Sequence, residues 1–121
     1  MKYILLIYHN EHQWNELSES ERQKMYAEYR TLREQLISRK QWVDGSQLQH
    51  TDTANSVQIR DDKEIVIDGP FAETHEQLGG FFLIDVNDIN EAIAVAKRIP
   101  SARKGTVEVR PLVETVAQAN A

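Results

Sequence analysis

Two almost continuously apolar segments constrain the fold of this chain more than any other feature. YILLIY at residues 3–8 has no charged side chain, and FFLIDV at residues 81–86 is broken only by Asp85. Apolar runs of this length without alternation are typical of strands that are covered on both faces. With 121 residues, the chain has enough material for a single core but not for two.

Two further segments have the spacing of amphipathic helices. The first follows Ser18-x-x-Glu21, a capping box in which each side chain bonds a free backbone N–H of the other residue. Its apolar stripe consists of Met25, Tyr29, Leu32 and Leu36. The second follows Asp88-x-x-Glu91 and stops before Pro100. Its apolar stripe consists of Ile89, Ala92, Ile93, Ala96 and Ile99.

The remaining strand signals alternate between apolar and polar residues. SVQIR (56–60) and EIVID (64–68) flank a two-residue Asp-Asp turn and predict a hairpin, with the apolar residues of each strand on one face. QWVDGSQLQH (41–50) is a weaker strand signal, and TVEVRPLV (106–113) predicts the last strand.

This order of elements predicts a ferredoxin-like βαββαβ unit, an α+β fold with an antiparallel sheet and both helices on one face. In that topology the first and third strands lie in the middle of the sheet, which is where the two apolar segments fall. We expect one domain over residues 1–121, with a frayed tail at about 114–121.

The helix-free face of such a sheet needs a cover, because the central strands are apolar on both faces. We therefore expect a homodimer in which two copies pack sheet on sheet. The alternative is a monomer in which the loop at 69–80 and the tail fold over this face.

Composition excludes several classes of protein. A net charge of −5 without a dense Lys/Arg stripe argues against a nucleic-acid surface, and the absence of cysteine excludes disulfides and thiolate chemistry. No stretch is long enough for a membrane span, and the apolar start lacks a cleavage site, so we expect a cytoplasmic protein. The histidines lack ligand spacing and no nucleotide-binding glycine motif occurs, so we expect no metal and no cofactor.

The segment DGPFAETHEQLGGFFLIDV at residues 68–86 closely resembles the signature of the DGPF family, part of the YCII-related proteins. The resemblance extends over nearly the whole chain, including MKYILLIY, YAEYRTLREQL, DINEAIAVAKRIPSA and VEVRPLV. It implies a ferredoxin-like fold that pairs as a dimeric α/β barrel. It also implies two kinds of function: enzymes with a proposed His–Asp site in the wider group, and accessories of sigma-factor-like regulators.

Asp68 and His9 are the candidate acid–base residues. Asp68 ends a strand next to the loop, and His9 follows the first central strand, so the two could meet at one end of the sheet. A neutral imidazole beside a carboxylate makes a usable acid–base pair near pH 7. The ordinary alternatives are that Asp68 accepts hydrogen bonds within its own turn and that His9 is a surface histidine.

Five more residues are candidates for ligand binding. Phe71 is expected to pin the loop to the sheet, Glu73 to line a pocket, and His75 stands where the family usually has lysine. Tyr8 and Arg110 could supply a hydroxyl and a fixed cation for an anionic ligand. Packing and a surface charge pair are their ordinary roles.

The leading hypothesis is a homodimeric protein that binds a small molecule in a pocket framed by the sheet, residues 9–17 and residues 68–80. A catalytic version would be a cofactor-free acid–base enzyme. The alternatives are a non-catalytic ligand-sensing module and a transcription accessory associated with a sigma-factor-like regulator.

Overall fold

The computed structural model of the protein describes residues 1–114, so the expected frayed tail beyond Glu114 lies outside the described residues. The helices and strands in chain order are β1 (Lys2–His9), α1 (Glu11–Glu16), α2 (Glu19–Ser38), β2 (Trp42–Gln47), β3 (Asn55–Arg60), β4 (Lys63–Asp68), β5 (Gln77–Asp85), α3 (Ile89–Ala96) and β6 (Thr106–Pro111).

The main sheet is antiparallel and has the strand order β2-β5-β1-β6. The two apolar segments, in β1 and β5, therefore occupy the centre of the sheet as predicted. Leu5 is opposed by Phe82 on one side and by Val109 on the other. This is the predicted α+β, ferredoxin-like arrangement.

The core lies between the sheet and the two longest helices. Alternate residues of β1 and β5 point into it, because side chains alternate across a strand. Its buried members include Tyr3, Leu5, Ile7, Phe82 and Ile84 from the sheet, Leu32 and Leu36 from α2, and Ala92, Val95 and Ala96 from α3. Both helices thus cover the same face, and burial of each large aliphatic side chain contributes about 1.5–3 kcal/mol.

Both predicted helix caps are formed. The Glu21 N–H donates to Ser18 Oγ at 3.2 Å, and the Ser18 N–H donates to Glu21 Oε1 at 3.1 Å. The Glu91 N–H donates to Asp88 Oδ1 at 2.9 Å at the start of α3. These bonds satisfy backbone donors that the first turn of a helix leaves free.

The opposite face of the sheet carries its own apolar patch. Ile4 opposes Leu83 and Leu6 opposes Phe81 across the two central strands. All four side chains are half-buried in the single chain, whereas their neighbours on the helix side are almost fully buried. The helix-free face is therefore apolar at its centre.

The predicted hairpin forms, but it stands outside the main sheet as a two-stranded sheet of β3 and β4. Strand β2 already pairs with β5 and occupies that edge. The turn residues Asp61 and Asp62 have φ of 51° and 62°, the positive values that a tight two-residue hairpin turn requires.

The register of the hairpin places apolar residues on both of its faces. The turn pairs Arg60 with Lys63, so odd-numbered residues of β3 oppose even-numbered residues of β4. Val57 and Ile59 thus share a face with Val66, and the other face carries Ile65 and Ile67.

Strand β5 begins at Gln77, four residues before the apolar run. Gly79 forms a bulge where the register shifts between Ile7 and Tyr8 of β1. The apolar pattern misses this extension because Gly79 and Gly80 interrupt the sequence of side chains between Leu78 and the apolar run.

Candidate functional site

A cavity of about 440 Å³ lies between helix α2 and the sheet, at the end where β1 and β2 finish and β5 begins. This volume is in the range of small-molecule pockets, about 300–1,000 Å³. The cavity is on the helix-covered face, and residues 23–33 of α2 and Trp14 of the short helix α1 form its outer wall.

Two glycines keep the floor of the cavity flat enough for aromatic rings. A Cβ added at Gly79 would lie 2.7 Å from Cε1 of His9, so the imidazole rests directly on the β5 backbone. A Cβ at Gly45 would overlap the indole of Trp42 and lie 2.9 Å from the carbonyl oxygen of Phe81. Any side chain at either position would displace a ring that lines the cavity.

Helix α1 carries the aromatic side chain that covers one end of the cavity. The Trp14 indole stacks on His9, with centroids 5.8 Å apart, and meets Tyr26 edge-on at 5.7 Å. The helix is fixed by Glu11, whose carboxylate accepts from the N–H of Thr51 at 2.8 Å and from its hydroxyl at 2.6 Å.

The other end of the cavity is an aromatic cluster around Phe82. The Trp42 ring meets Phe82 edge-on at 4.9 Å, and Tyr29 meets it edge-on at 6.0 Å. The Tyr29 hydroxyl shares a hydrogen bond of 2.7 Å with the hydroxyl of buried Ser101. Burial raises the pKa of Tyr29, so its phenol stays neutral at physiological pH.

Two arginines on α2 give the cavity its charge. Arg30 and Arg33 are three residues apart on the helix and both line the cavity. The Arg33 guanidinium lies 5.3 Å from the centroid of the Trp42 ring, within cation–π range. Among the described residues that line the cavity there is no aspartate and no glutamate.

His9 is the ionisable group in the cavity whose ordinary pKa lies near neutral pH. Burial lowers the pKa of His9, and nearby His50 lowers it further, against a smaller upward effect of the Glu11 and Glu76 carboxylates. The imidazole is therefore neutral at pH 7 and can accept a proton or a hydrogen bond.

The YCII-related domain model matches residues 1–116 of the chain. A relative from Rhizobium meliloti (strain 1021), described as an uncharacterized protein, is 32% identical over 114 residues, which are 93% of this chain and 92% of the relative. This chain belongs to the YCII-related family. The DGPF-type signature at residues 68–86 is consistent with that family.

This YCII-related chain brings only one of the two candidate acid–base residues to the cavity. His9 lies on its floor, whereas Asp68 is exposed at the end of β4 and accepts a hydrogen bond of 2.8 Å from Nδ2 of Asn55. The carboxylates whose charge acts on His9 are Glu11 and Glu76. Within the described residues, no hydrogen bond joins Asp68 to His9.

Two of the candidate ligand-binding residues lie on the opposite face of the sheet from the cavity. Tyr8 follows Ile4 and Leu6 on the helix-free face, and Glu108 and Arg110 of β6 share that face. The Tyr8 hydroxyl donates to Glu108 Oε1 at 3.5 Å, and Arg110 Nε lies 3.9 Å from Glu108 Oε2. In the single chain these residues form a surface polar cluster.

The expectation that Phe71 pins the loop to the sheet is wrong, because its side chain is 83% exposed. The loop is instead tied to the hairpin: the Gly69 N–H donates to the Ala54 carbonyl at 2.6 Å, and the Ser56 hydroxyl donates to the Gly69 carbonyl at 2.8 Å. Glu73 and His75 are also exposed. Within residues 68–80, only Gly79 and Gly80 line the cavity of the described chain.

The sequence pattern does not single out the residues that give the cavity its character. Gln23, Tyr26, Arg30 and Arg33 all line it and recur at helical spacing, but a polar stripe on a helix is typical of a solvent-exposed face. The available signal is Tyr26, an aromatic residue within that stripe, one turn from Arg30 and two turns from Arg33.

Residues 1–114 lack two further features, a membrane-spanning helix and a cluster of metal ligands. No helix there is long and apolar enough to cross a membrane. The same residues contain no group of three or more His, Asp or Glu side chains that could hold a metal ion.

Proposed function

We propose that this YCII-related protein binds a small organic molecule in the cavity between α2 and the sheet. The observation that carries the proposal is the cavity itself, with aromatic walls, a glycine floor and a few polar groups directed inward. Small-molecule sites are typically concave and mostly apolar, with few polar groups that fix the orientation of the ligand.

His9 is the residue we propose for acid–base chemistry in this cavity. Its neutral imidazole could take a proton from an acidic C–H or O–H of the ligand and return it at a neighbouring atom, which requires no cofactor. Asp68 has no place in this cavity within one chain, so the proposed proton transfer depends on His9 alone.

Binding without turnover is the second candidate function. It is supported by the surroundings of His9, whose ring contacts Gly79 and Trp14 and, among the described residues, donates no hydrogen bond to a carboxylate. In most acid–base sites a third group orients the imidazole. A sensing protein needs only the cavity.

A second copy of the chain is the partner we propose for the helix-free face. The half-buried patch of Ile4, Leu6, Phe81 and Leu83 supports this, because a stable interface combines an apolar centre with a polar rim. Glu108 and Arg110 would belong to that rim.

Sedimentation velocity at micromolar concentration tests the dimer. We expect twice the 14.0 kDa mass of one chain, and the mass of one chain for Leu6→Glu, which would bury a charge in the interface. Ile93→Glu, on the exposed side of α3, is the control and should leave the dimer intact. A wild-type species of 14.0 kDa would rule out the pairing.

The binding proposal is tested by titrating the isotope-labelled protein with a panel of acidic, basic and neutral fragments, followed by NMR. We expect at least one class of fragment to shift the indole N–H signals of Trp14 and Trp42 and the ring signals of His9. Shifts confined to other surfaces, or none at all, would remove the cavity as a binding site. Chemical change of the bound fragment with wild type but not with His9→Gln would separate the enzyme from the sensor.

A further inference from the structure

We propose that the cavity is specific for a planar aromatic carboxylate, with its carboxylate on Arg30 and Arg33 and its ring against the aromatic side chains of Trp42 and Tyr26. This inference rests on the proposed function, since it names the ligand class of the same cavity.

The first support is that Arg30 and Arg33 have no carboxylate partner among residues 1–114. Several other arginines already have partners: Arg103 forms an ion pair with Glu28 at 2.8 Å, Arg22 lies 3.9 Å from Glu19, and Arg98 bonds Gln35. Within residues 1–114, no carboxylate of the protein lies within 4.0 Å of Arg30 or Arg33. Two cations without a carboxylate partner among these residues thus line one cavity, in a protein whose net charge is −5.

The second support is the shape of the donor groups. A guanidinium presents a planar fork of N–H groups that matches the two oxygens of a carboxylate, and neighbouring forks can hold one carboxylate from two directions. Arg33 is already ordered by its contact with the Trp42 ring, so less rotational freedom is lost when it binds an anion.

The third support is the aromatic lining of the cavity. The Trp42 ring lies against Gly45 and the His9 ring lies against Gly79, and Tyr26 also lines the cavity. An aromatic ring makes offset or edge-on contacts with such flat side chains, whereas a bulky aliphatic ring meets them at fewer points.

The length of the cavity limits the size of the ligand. Along the helix, Tyr26 and Arg33 are seven residues apart, which corresponds to about 10 Å. Along β5, Gly79 and Phe82 are separated by about 10 Å as well. A ligand with its carboxylate at Arg33 would therefore place its far end near His9, where the neutral imidazole can accept a hydrogen bond from a ligand hydroxyl.

The probes that test this are 4-hydroxybenzoate, its neutral amide 4-hydroxybenzamide, and the non-aromatic acid cyclohexanecarboxylate. Binding to the full chain is measured by isothermal titration, with the site read from the Trp14 and Trp42 indole N–H signals. We expect the aromatic acid to bind at least tenfold more tightly than either relative. Added salt should weaken the binding of the acid and leave the binding of the amide unchanged.

The matched variants are Arg30→Gln with Arg33→Gln, and Arg39→Gln, at the C-cap of the same helix, as the control. Arg39 follows the end of α2 and does not line the cavity. We expect the double variant to lose at least tenfold in affinity for the acid and less than twofold for the amide, and the control to match wild type. All three sites are exposed, so an unchanged melting temperature shows that the variants are folded.

Two results would overturn the inference, and they are distinguishable from failure of the proposed function. Equal affinity for acid and amide, or an unchanged affinity of the double variant, would remove the carboxylate from the ligand class while the cavity remains a binding site. Failure of all three probes to shift the cavity signals would overturn the inference. If the wider fragment panel also fails there, the proposed function is overturned too.

Discussion

The cavity and the hairpin differ in almost every physical respect. The cavity lies between α2 and the sheet, on buried core residues, and is lined by aromatic and cationic side chains. The hairpin stands outside the main sheet, and Val57, Ile59 and Val66 on one of its faces are each more than 60% exposed. The DGPF-type signature starts at the end of the hairpin, and within it only Gly79, Gly80 and Phe82 line the cavity. The Asp-Gly-Pro-Phe residues at its start thus direct the backbone without lining the cavity.

The stability of the hairpin also depends on what its apolar faces contact. A two-stranded hairpin is marginally stable in water unless its apolar face packs on something. Five aliphatic side chains on its two faces are exposed in the single chain. The hairpin therefore supports the proposed pairing of two copies, whereas the pocket is complete within one chain.

Truncating an apolar side chain in each region should give the largest difference between the regions in the free energy of unfolding. Phe82 is 7% exposed and packs against Trp42 and Tyr29, so we expect Phe82→Ala to lower the free energy of unfolding by about 3–5 kcal/mol. Val57→Ala should lower it by less than about 0.5 kcal/mol if the hairpin face is open to solvent.

Urea unfolding at several protein concentrations measures both changes. A concentration-dependent loss of stability for Val57→Ala would mean that the hairpin is buried between subunits. A loss of less than about 1 kcal/mol for Phe82→Ala would contradict the assignment of this residue to the core beside the pocket.

Two glycines of the signature, Gly69 and Gly79, give a second, smaller contrast. An alanine at Gly79 would place its Cβ 2.7 Å from the His9 ring, and we expect a loss of about 1–3 kcal/mol from this overlap. Gly69 has a φ of 101° and open space around it, so alanine there is strained by about 1–3 kcal/mol without touching a ring.

NMR separates the two substitutions even if their effects on stability are equal. Gly79→Ala should shift the ring signals of His9 and the indole N–H of Trp14, and Gly69→Ala should leave both in place. Unchanged His9 signals in Gly79→Ala would show that the imidazole does not rest on the β5 backbone.

The fold follows from the sequence because its signals are local and consistent with one another. The capping residues Ser18 and Asp88 mark where two helices begin, and the apolar runs of β1 and β5 identify the central strands. The start of β5 at Gln77 could not be predicted, because Gly79 and Gly80 interrupt the side-chain pattern of the strand.

The site is less predictable because it depends on contacts between distant residues. His9 could be proposed from its place after a central strand, but its stacking partner Trp14 is on a helix that the sequence does not predict. Tyr8, its direct neighbour, points to the other face of the sheet, as the alternation of side chains along a strand requires. Phe71 is 83% exposed, which its residue type does not indicate.

The pH dependence of stability should show the smallest difference between the regions, and it depends on His9. Burial lowers the pKa of His9 below its ordinary value of 6.5, so the unfolded chain takes up a proton at a higher pH than the folded chain does. The unfolded state then binds more protons, and the free energy of unfolding falls as the pH drops below 6.5, until the folded state is protonated as well. We expect His9→Gln to remove part of this decline between pH 7.5 and 5. The control is His12→Gln, at an exposed site on α1, which should leave the decline unchanged. Urea unfolding across that pH range measures the free energy of unfolding of each protein. An identical decline in wild type and His9→Gln would mean that the imidazole is as well solvated in the folded chain as in the unfolded one, which is incompatible with a ring enclosed by Gly79 and Trp14.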